Sequence, residues 1–324
     1  MLGTLISTAR SNGSAMLVGD GGSGKSGLTS LVIKRLLSTK SVVSFIRADL
    51  HIPMSIATEG TINEWLGLEK GDLNICQETI NSQQEFYLVV DQLDKAPSSD
   101  ALKAICSGLQ SAIAYGAIVI VACRDYEAQR EPCIKALNFA TVPLGPLCVA
   151  EATHLLSRLG VQHPSSLLIE LARNLLHLSL IADVKQSGGC IDDIESETAL
   201  WERYRLSIED RDGQDALAIA IALSKEAIRN GQDFIPRPLP EPSGFQQLVS
   251  RGVIIKTSDG RYRFRHSYIR DYLYAWNVVV REDGDSMSAI VDANCLVEQE
   301  IARWIYRIQR ERGTDAEFLK GVLG

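Results

Sequence analysis

The stretch Gly19-Asp-Gly-Gly-Ser-Gly-Lys-Ser26 decides how the rest of this sequence is interpreted. It matches the pattern G-x-x-x-x-G-K-[ST], and it lies between an apolar run, Ala15–Val18, and a helical pattern over Ser26–Leu37. A strand, a glycine loop and a helix in this order form a phosphate-binding P-loop, because the loop N–H groups and the helix N-terminus face the phosphate oxygens. An ordinary glycine-rich turn, the alternative, needs neither the lysine nor the hydroxyl.

The residue types of this loop suit ATP or ADP together with Mg²⁺. We expect Lys25 to reach the β- and γ-phosphates, and the Ser26 hydroxyl to be a ligand of Mg²⁺. The predicted nucleotide-binding residues of the loop are Gly19, Asp20, Gly21, Gly22, Ser23, Gly24, Lys25, Ser26 and Gly27.

A second apolar run ends in acidic residues. Phe86–Val90 is followed by Asp91, which we expect on the metal side of the site, acting through water. Asp94, three residues later, is a candidate for orienting or deprotonating the attacking water, although acidic residues are also common on loops. The predicted metal ligands are Ser26 and Asp91. The predicted catalytic residues are Lys25, Asp91, Asp94 and Arg124.

Two arginines are candidates for contacting phosphate. Arg124 follows the apolar run Ile118–Ala122, and ligands of such sheets bind beyond the carboxyl ends of the strands. It could therefore sense the γ-phosphate, or it could pair on the surface with one of the acidic residues at 125–131. Arg173 lies in a helical pattern, where a solvated arginine is the more common situation.

Composition indicates an ordinary globular protein. The 324 residues are 45% hydrophobic and 23% charged, and the formal net charge of −7 argues against a surface covered in phosphate-binding groups. The 7 cysteines form no C-x-x-C pair and suit reduced thiols, which predicts a cytoplasmic protein. Because no apolar run reaches the roughly 18 residues of a membrane span, we expect no membrane partner.

The first part of the chain has the pattern of an α/β domain. Its apolar runs are continuous rather than alternating, as in parallel strands that helices cover on both faces. Besides the three strands named above, we expect strands at Ser41–Ile46 and Ala140–Pro143, and a helix over Asp100–Tyr115 that begins with a serine cap. The fold class is therefore α/β, with a P-loop NTPase domain over residues 1–143.

Helical patterns dominate from residue 144. Apolar spacing predicts helices over Val149–Leu159 and Ser165–Val184, which we assign to a helical lid subdomain over 144–200. A longer helical stretch from Glu195 is expected to be interrupted near Gly213.

The pattern after residue 230 is that of a winged helix. A proline-rich connector at Ile235–Ser243 leads to a short helix, and strands are predicted at Val253–Lys256 and Arg261–Arg265. We expect a winged-helix domain over 201–281 and a helical tail over 282–324.

Four separated segments together resemble the STAND class of P-loop NTPases, particularly its NACHT-like branch, which is related to AAA+ ATPases. They are the P-loop, Val89-Val-Asp-Gln-Leu-Asp94, Val121-Ala-Cys-Arg124 and Phe264-Arg-His266-Ser-Tyr-Ile-Arg-Asp271-Tyr272-Leu-Tyr-Ala275. The last segment is similar to the family's winged-helix pattern F-x-H-x-x-x-x-[DE]-Y-x-x-A.

The resemblance implies a nucleotide-dependent role. In that family the winged-helix histidine contacts the β-phosphate of ADP, so the resemblance implies this role for His266, although a core histidine is the alternative. It also implies ATP/ADP and Mg²⁺ as cofactors, and a protein partner or self-assembly. Because Gln92, Lys95 and Leu175 depart from the family's pattern, nucleotide binding is implied more strongly than rapid hydrolysis.

Three functions are compatible with these patterns. The first is an ATP/ADP switch that controls signalling, defence or assembly, with slow ATPase activity. The second is a DNA-associated AAA+-type ATPase that binds DNA through its wing, although a solvated hairpin also explains the basic residues there. A metabolic P-loop kinase, the third, has no need of a lid or a wing. The basic residues are Arg251, Arg261, Arg263 and Arg265.

Overall fold

The structure, a computed structural model, describes most of the chain as two compact units. The first unit comprises Met1–Cys148 and Asn174–Leu176, and the second comprises Val149–Arg173 and His177–Gly324. The described residues are 1–51, 82, 84–96, 98–230, 234–235, 238, 241–257, 260–281 and 296–313.

The first unit is built on a 5-stranded parallel sheet with the strand order β2-β3-β4-β1-β5. All residues of β3 are buried, as are all of β1 but its last residue and all of β4 but its first and last, which is why these runs are apolar without alternation. The predicted parallel sheet is confirmed. The strands are β1 Ser14–Gly19, β2 Val42–Arg47, β3 Phe86–Asp91, β4 Ile118–Arg124 and β5 Ala140–Pro143.

Helices pack on both faces of this sheet. The helices are α1 Leu2–Asn12, α2 Lys25–Ser38, α3 Ala48–His51, α4 Ser99–Ala114, α5 Asp125–Arg130 and α6 Pro132–Ala136. Side chains of α1 and α2 share a buried cluster with Leu17 and Tyr87, whereas those of α4 share a second cluster with Met16 and Leu88. Because neighbouring residues of one strand enter different clusters, the sheet is the middle layer of the unit. Helix α1 was not predicted.

Most of the described part of the second unit is helical. Its helices are α7 Val149–Arg158, α8 Ser166–Ala172, α9 Leu175–Gln186, α10 Glu197–Arg229, α11 Ser243–Ser250, α12 Ser267–Arg281 and α13 Leu296–Arg312, and the first two residues of α9 belong to the first unit. The prediction of one helix over Ser165–Val184 is wrong, because α8 and α9 are separate. The Asn174 side chain accepts a hydrogen bond from the Leu176 N–H at 2.9 Å, so it caps a new helix start.

Helix α10 contains the interruption that the sequence predicts. Gly213 lies within it at φ 86° and ψ 166°, outside the helical region. In the part of α10 before this point, the ring of Trp201 packs with those of Tyr272 and Trp304, with each pair of ring centroids 5.3 Å apart. These three rings join α10, α12 and α13.

The predicted two-stranded wing is present, but its sheet has 3 antiparallel strands in the order β6-β8-β7. The additional strand lies at the edge and takes in the first residue of the proline-rich connector. An edge strand uses the backbone donors of one side only, so a short strand can directly precede prolines. The strands are β6 Phe234–Ile235, β7 Ile254–Lys256 and β8 Tyr262–Phe264.

Candidate functional site

The P-loop lies between β1 and α2. Gly19 is the last residue of β1, and Lys25 is the first residue of α2. Between them Gly22 and Gly24 adopt φ angles of 78° and 96°, a region that other residues enter only with strain. The glycines therefore allow the tight turn that brings backbone N–H groups to the start of the helix.

The Lys25 side chain folds over this loop. Its Nζ donates hydrogen bonds to the carbonyl oxygens of Gly19 and Asp20, at 2.7 and 2.8 Å. Burial lowers the pKa of the Lys25 ammonium, and the negative charge of Asp94 opposes that effect. The ammonium is therefore held near the acidic residues that follow β3.

Ser26 and Asp91 form the predicted metal-side pair. Asp91, the last residue of β3, is 2% exposed, and its carboxylate accepts a hydrogen bond from the Gln92 N–H at 3.0 Å. Burial raises the pKa of Asp91, while the nearby Ser26 hydroxyl and the positive charge of Arg47 lower it. A hydroxyl and a carboxylate placed together are the oxygen ligands that Mg²⁺ prefers, so these residues fit that ion.

Asp94 and Arg124 pair with each other. Asp94 lies in the 3₁₀ turn Leu93–Lys95, and its carboxylate accepts from the Arg124 N–H at 3.1 Å. The Nε atom of Arg124 lies 3.3 Å from the same carboxylate, and the two side chains are only 3% and 12% exposed. The structure thus brings all four predicted catalytic residues to one edge of the sheet, where two of them form a buried ion pair.

A second ion pair at this edge was missed by the sequence analysis. Arg47 lies opposite Asp91 in the register of β2 and β3, and its guanidinium contacts the Asp49 carboxylate at 2.6 and 3.0 Å. In the orientation that satisfies its amide, Gln92 donates to Asp49 at 3.1 Å and accepts from Arg47 at 2.7 Å. The signal was available, because Arg47 and Asp49 follow an apolar run just as Asp91 and Arg124 do.

A segment far along the chain also contacts the P-loop. The Asn174 Nδ2 donates to the Gly21 carbonyl at 2.9 Å, and the Leu176 N–H donates to the Gly22 carbonyl at 3.2 Å. These residues belong to the first unit. The helical pattern predicts this segment in the lid, and the contact with the P-loop has no signal in the sequence.

Two predicted phosphate contacts lie in the second unit. His266 directly precedes α12 and is partly buried, and its carbonyl accepts from the Ile269 N–H at 3.1 Å. Its contact with a β-phosphate stays a prediction. Arg173 donates to both carboxylate oxygens of Glu170, at 2.9 and 2.8 Å, and its contact with a nucleotide also stays a prediction.

The arginines near the wing contact other residues of the second unit. Arg265 forms an ion pair with Asp183, and Arg251 donates to the Ser207 carbonyl at 3.1 Å. The guanidinium of Arg261 lies 3.3 Å from the centre of the Phe234 ring. Arg251, Arg261 and Arg265 therefore have partners within the second unit.

The strand order, the P-loop after β1 and the acidic residue at the end of β3 give the first unit the fold of a P-loop NTPase. A helical and winged-helix region follows it. No protein-family model matches the chain, and no curated protein matches it either. None of the helices in the described part of the chain is long and apolar enough to cross a membrane.

Several solved structures have a similar fold. A STAND protein with a tetratricopeptide repeat sensor from Pyrococcus horikoshii is 12% identical over 95% of this chain and 47% of its own, with a TM-score of 0.47. Orc1 from Aeropyrum pernix, solved in complex with DNA, is 14% identical over 87% of this chain and 92% of its own, with a TM-score of 0.42. Domain III of the replication initiation protein DnaA from Thermotoga maritima is 15% identical over 64% of this chain and 90% of its own, with a TM-score of 0.38. At these identities no function is transferred.

Proposed function

We propose that this protein is an ATP/ADP-binding molecular switch of the STAND type with a NACHT-like organisation. In this proposal nucleotide exchange or slow hydrolysis controls signalling or assembly with a protein partner or with further copies of the chain. The observation that carries the proposal is that the Ser26 hydroxyl lies near the buried Asp91 carboxylate, and that Lys25 feels the charge of the same carboxylate. A glycine loop alone is a common turn, whereas a loop hydroxyl held against a buried acid is the arrangement that a metal–nucleotide complex needs.

Each residue of the site has a task in this proposal. The backbone N–H groups of the P-loop bind phosphate oxygens, and Lys25 exchanges its two carbonyl partners for the β- and γ-phosphates. Ser26 and Asp91 would hold Mg²⁺, which when bound neutralises charge on the phosphates. As the family resemblance implies, His266 is proposed to contact the β-phosphate of ADP.

The ion pair of Asp94 favours a switch over a rapid ATPase. A general base must reach the proton that it removes, but the Asp94 carboxylate already accepts from the Arg124 N–H and faces its guanidinium. Hydrolysis would first require this pair to rearrange. Slow turnover and a long-lived bound nucleotide are therefore the expected behaviour.

Binding of fluorescent ADP and ATP with Mg²⁺ tests this proposal. We expect Lys25→Ala to weaken binding by about 10- to 100-fold, because a charge-assisted hydrogen bond is lost. Lys34→Ala is the matched control, since Lys34 lies exposed on the same helix, α2, and should leave the affinity unchanged. In the same assay His266→Ala should release ADP roughly tenfold faster.

Two outcomes of these measurements would contradict the proposal. If the wild-type protein binds neither nucleotide, or if Lys25→Ala binds as well as Lys34→Ala, the P-loop is not a nucleotide site. If the nucleotide binds but is hydrolysed at several turnovers per second, the protein is an ATPase motor rather than a switch.

A further inference from the structure

We propose that Asn174 is a positioning residue for the P-loop. Together with Leu176 it holds two P-loop carbonyl groups turned outward, which prepares the loop for phosphate. This inference rests on the proposed function, since it concerns the same site. It assigns a nucleotide-dependent role to a segment that lies about 150 residues beyond the loop in sequence.

Two hydrogen bonds fix the peptide planes on either side of Gly22. The Asn174 Nδ2 donates to the Gly21 carbonyl at 2.9 Å, and the Leu176 N–H donates to the Gly22 carbonyl at 3.2 Å. In a trans peptide the carbonyl and the following N–H point in opposite directions. A Gly21 carbonyl held outward therefore aims the Gly22 N–H into the loop, where a phosphate oxygen would accept it.

The Asn174 amide has a defined orientation. Its oxygen accepts from the Leu176 N–H at 2.9 Å, which leaves the NH₂ group to face the loop. One asparagine thus performs two tasks, because the same interaction caps the start of α9. An aspartate at this position could still cap the helix but could not donate to the Gly21 carbonyl.

Close packing independently supports this contact. A Cβ atom at Gly22 would lie 2.6 Å from the Asn174 Oδ1 and 2.6 Å from the Leu176 Cβ, and one at Gly24 would lie 2.6 Å from the Leu175 Cδ1. Distances this short are repulsive. The two glycines are therefore required both by their positive φ angles and by the segment that packs against them.

The segment also connects the loop to helices. Leu175 and Leu176 are the first residues of α9, and α8 ends two residues before Asn174. A phosphate that accepts from the Gly22 N–H would hold the peptide planes at Gly22 in this orientation, and through the same hydrogen bonds it would hold the backbone at the start of α9. Asn174 would therefore report the state of the loop to the helical region.

The test compares Asn174→Ala and Asn174→Asp with Asn12→Ala in the full chain. Asn12 is an exposed asparagine that donates to the Thr8 carbonyl at 2.9 Å, so its variant loses the same kind of hydrogen bond away from the loop. Two quantities are measured: amide hydrogen exchange of the peptide that covers residues 19–25 without nucleotide, and the affinity for fluorescent ADP. Asn174→Asp keeps the helix cap, so it separates an effect on the loop from a failure to fold.

We expect both Asn174 variants to raise amide exchange in the loop and to weaken ADP binding about tenfold, with the larger loss for aspartate because its carboxylate faces a carbonyl oxygen and the phosphates. If exchange and affinity match those of Asn12→Ala, the inference is wrong. If the wild-type protein binds no ADP, the proposed function fails. The exchange measurement then still decides whether Asn174 holds the loop.

Discussion

Asp91 places a buried carboxylate at the end of β3, where burial costs its charged form more than its neighbours restore. At 2% exposure its ionised form loses most of its hydration, and burial accordingly raises its pKa. The Ser26 hydroxyl and the positive charge of Arg47 stabilise the ionised form and so offset part of the lost hydration. Residues that lower stability in this way are typical of binding sites, where the ligand supplies the missing stabilisation.

We predict that Asp91→Asn stabilises the nucleotide-free protein by about 1 kcal/mol at neutral pH, which raises Tm by roughly 2–4 °C. The pKa of Asp91 is about 4 in the unfolded chain and is raised in the folded protein. Wild-type stability therefore falls as the pH rises from about 4 through the raised pKa. The gain from asparagine should therefore vanish below about pH 4. Thermal melts in EDTA over this pH range measure it, and the same variant should lose Mg²⁺-dependent ADP binding.

Asp94→Asn is the matched comparison, and it should have the opposite effect. It removes the negative charge that faces the buried Arg124 guanidinium, so we expect a loss of about 2 kcal/mol of unfolding free energy. Equal shifts in Tm for the two variants would contradict the distinction between a ligand-binding acid and a structural one.

At the scale of elements, the interruption of α10 depends on one glycine. Gly213 has a φ of 86° and a ψ of 166°, which no other residue adopts without strain, although a Cβ there would meet no atom within 4 Å. We predict that Gly213→Ala lowers the unfolding free energy by about 1–2 kcal/mol.

Gly3→Ala provides the control for this prediction. Gly3 is the second residue of helix α1, where a Cβ would likewise meet no atom within 4 Å, so alanine there should be neutral or should stabilise the protein by at most about 0.5 kcal/mol. Calorimetric unfolding of both variants measures the difference. A neutral or stabilising Gly213→Ala would mean that α10 can straighten at no cost.

The elements that could be predicted have local signals. The P-loop and the buried strands follow from short motifs and continuous apolar runs, and the wing follows from a turn between two short strands. The break before Asn174 has no glycine or proline, and β6 has two residues, so neither has such a signal. Both depend on contacts with distant residues, which a single sequence does not show.

The same limit applies to the site. Asp91 and Arg124 could be located because each ends an apolar run. That Arg124 pairs with Asp94 across 30 positions, rather than with its sequence neighbours alone, depends on the adjacency of β3 and β4. The Arg47–Asp49 pair was equally visible in sequence, but no motif directed attention to it.

At the scale of the whole molecule, charge bears on the choice between a switch and a DNA-associated ATPase. The chain has a formal net charge of −7, and Arg251 and Arg265 have partners within the second unit. We predict that the Kd for duplex DNA is above about 0.1 mM at physiological salt. This value is the weak end of the range for non-specific binding. Fluorescence anisotropy with labelled DNA over a series of salt concentrations measures this.

Arg261→Glu provides the decisive variant, since Arg261 is exposed on the wing. The switch proposal expects this change to leave ADP affinity unaltered and DNA binding negligible in both proteins. Submicromolar DNA binding that falls steeply with salt and disappears in Arg261→Glu would instead favour the DNA-associated ATPase.

The route of the chain limits how this protein can be divided. A fragment that stops at Cys148 would contain the whole parallel sheet and the complete glycine motif, and by sequence it would look like an autonomous domain. It would nevertheless lack Asn174–Leu176, which belong to the same unit. Such a truncation should fold around its sheet yet bind nucleotide poorly, so weak binding by an isolated N-terminal fragment would reflect the missing tripeptide rather than an inactive motif.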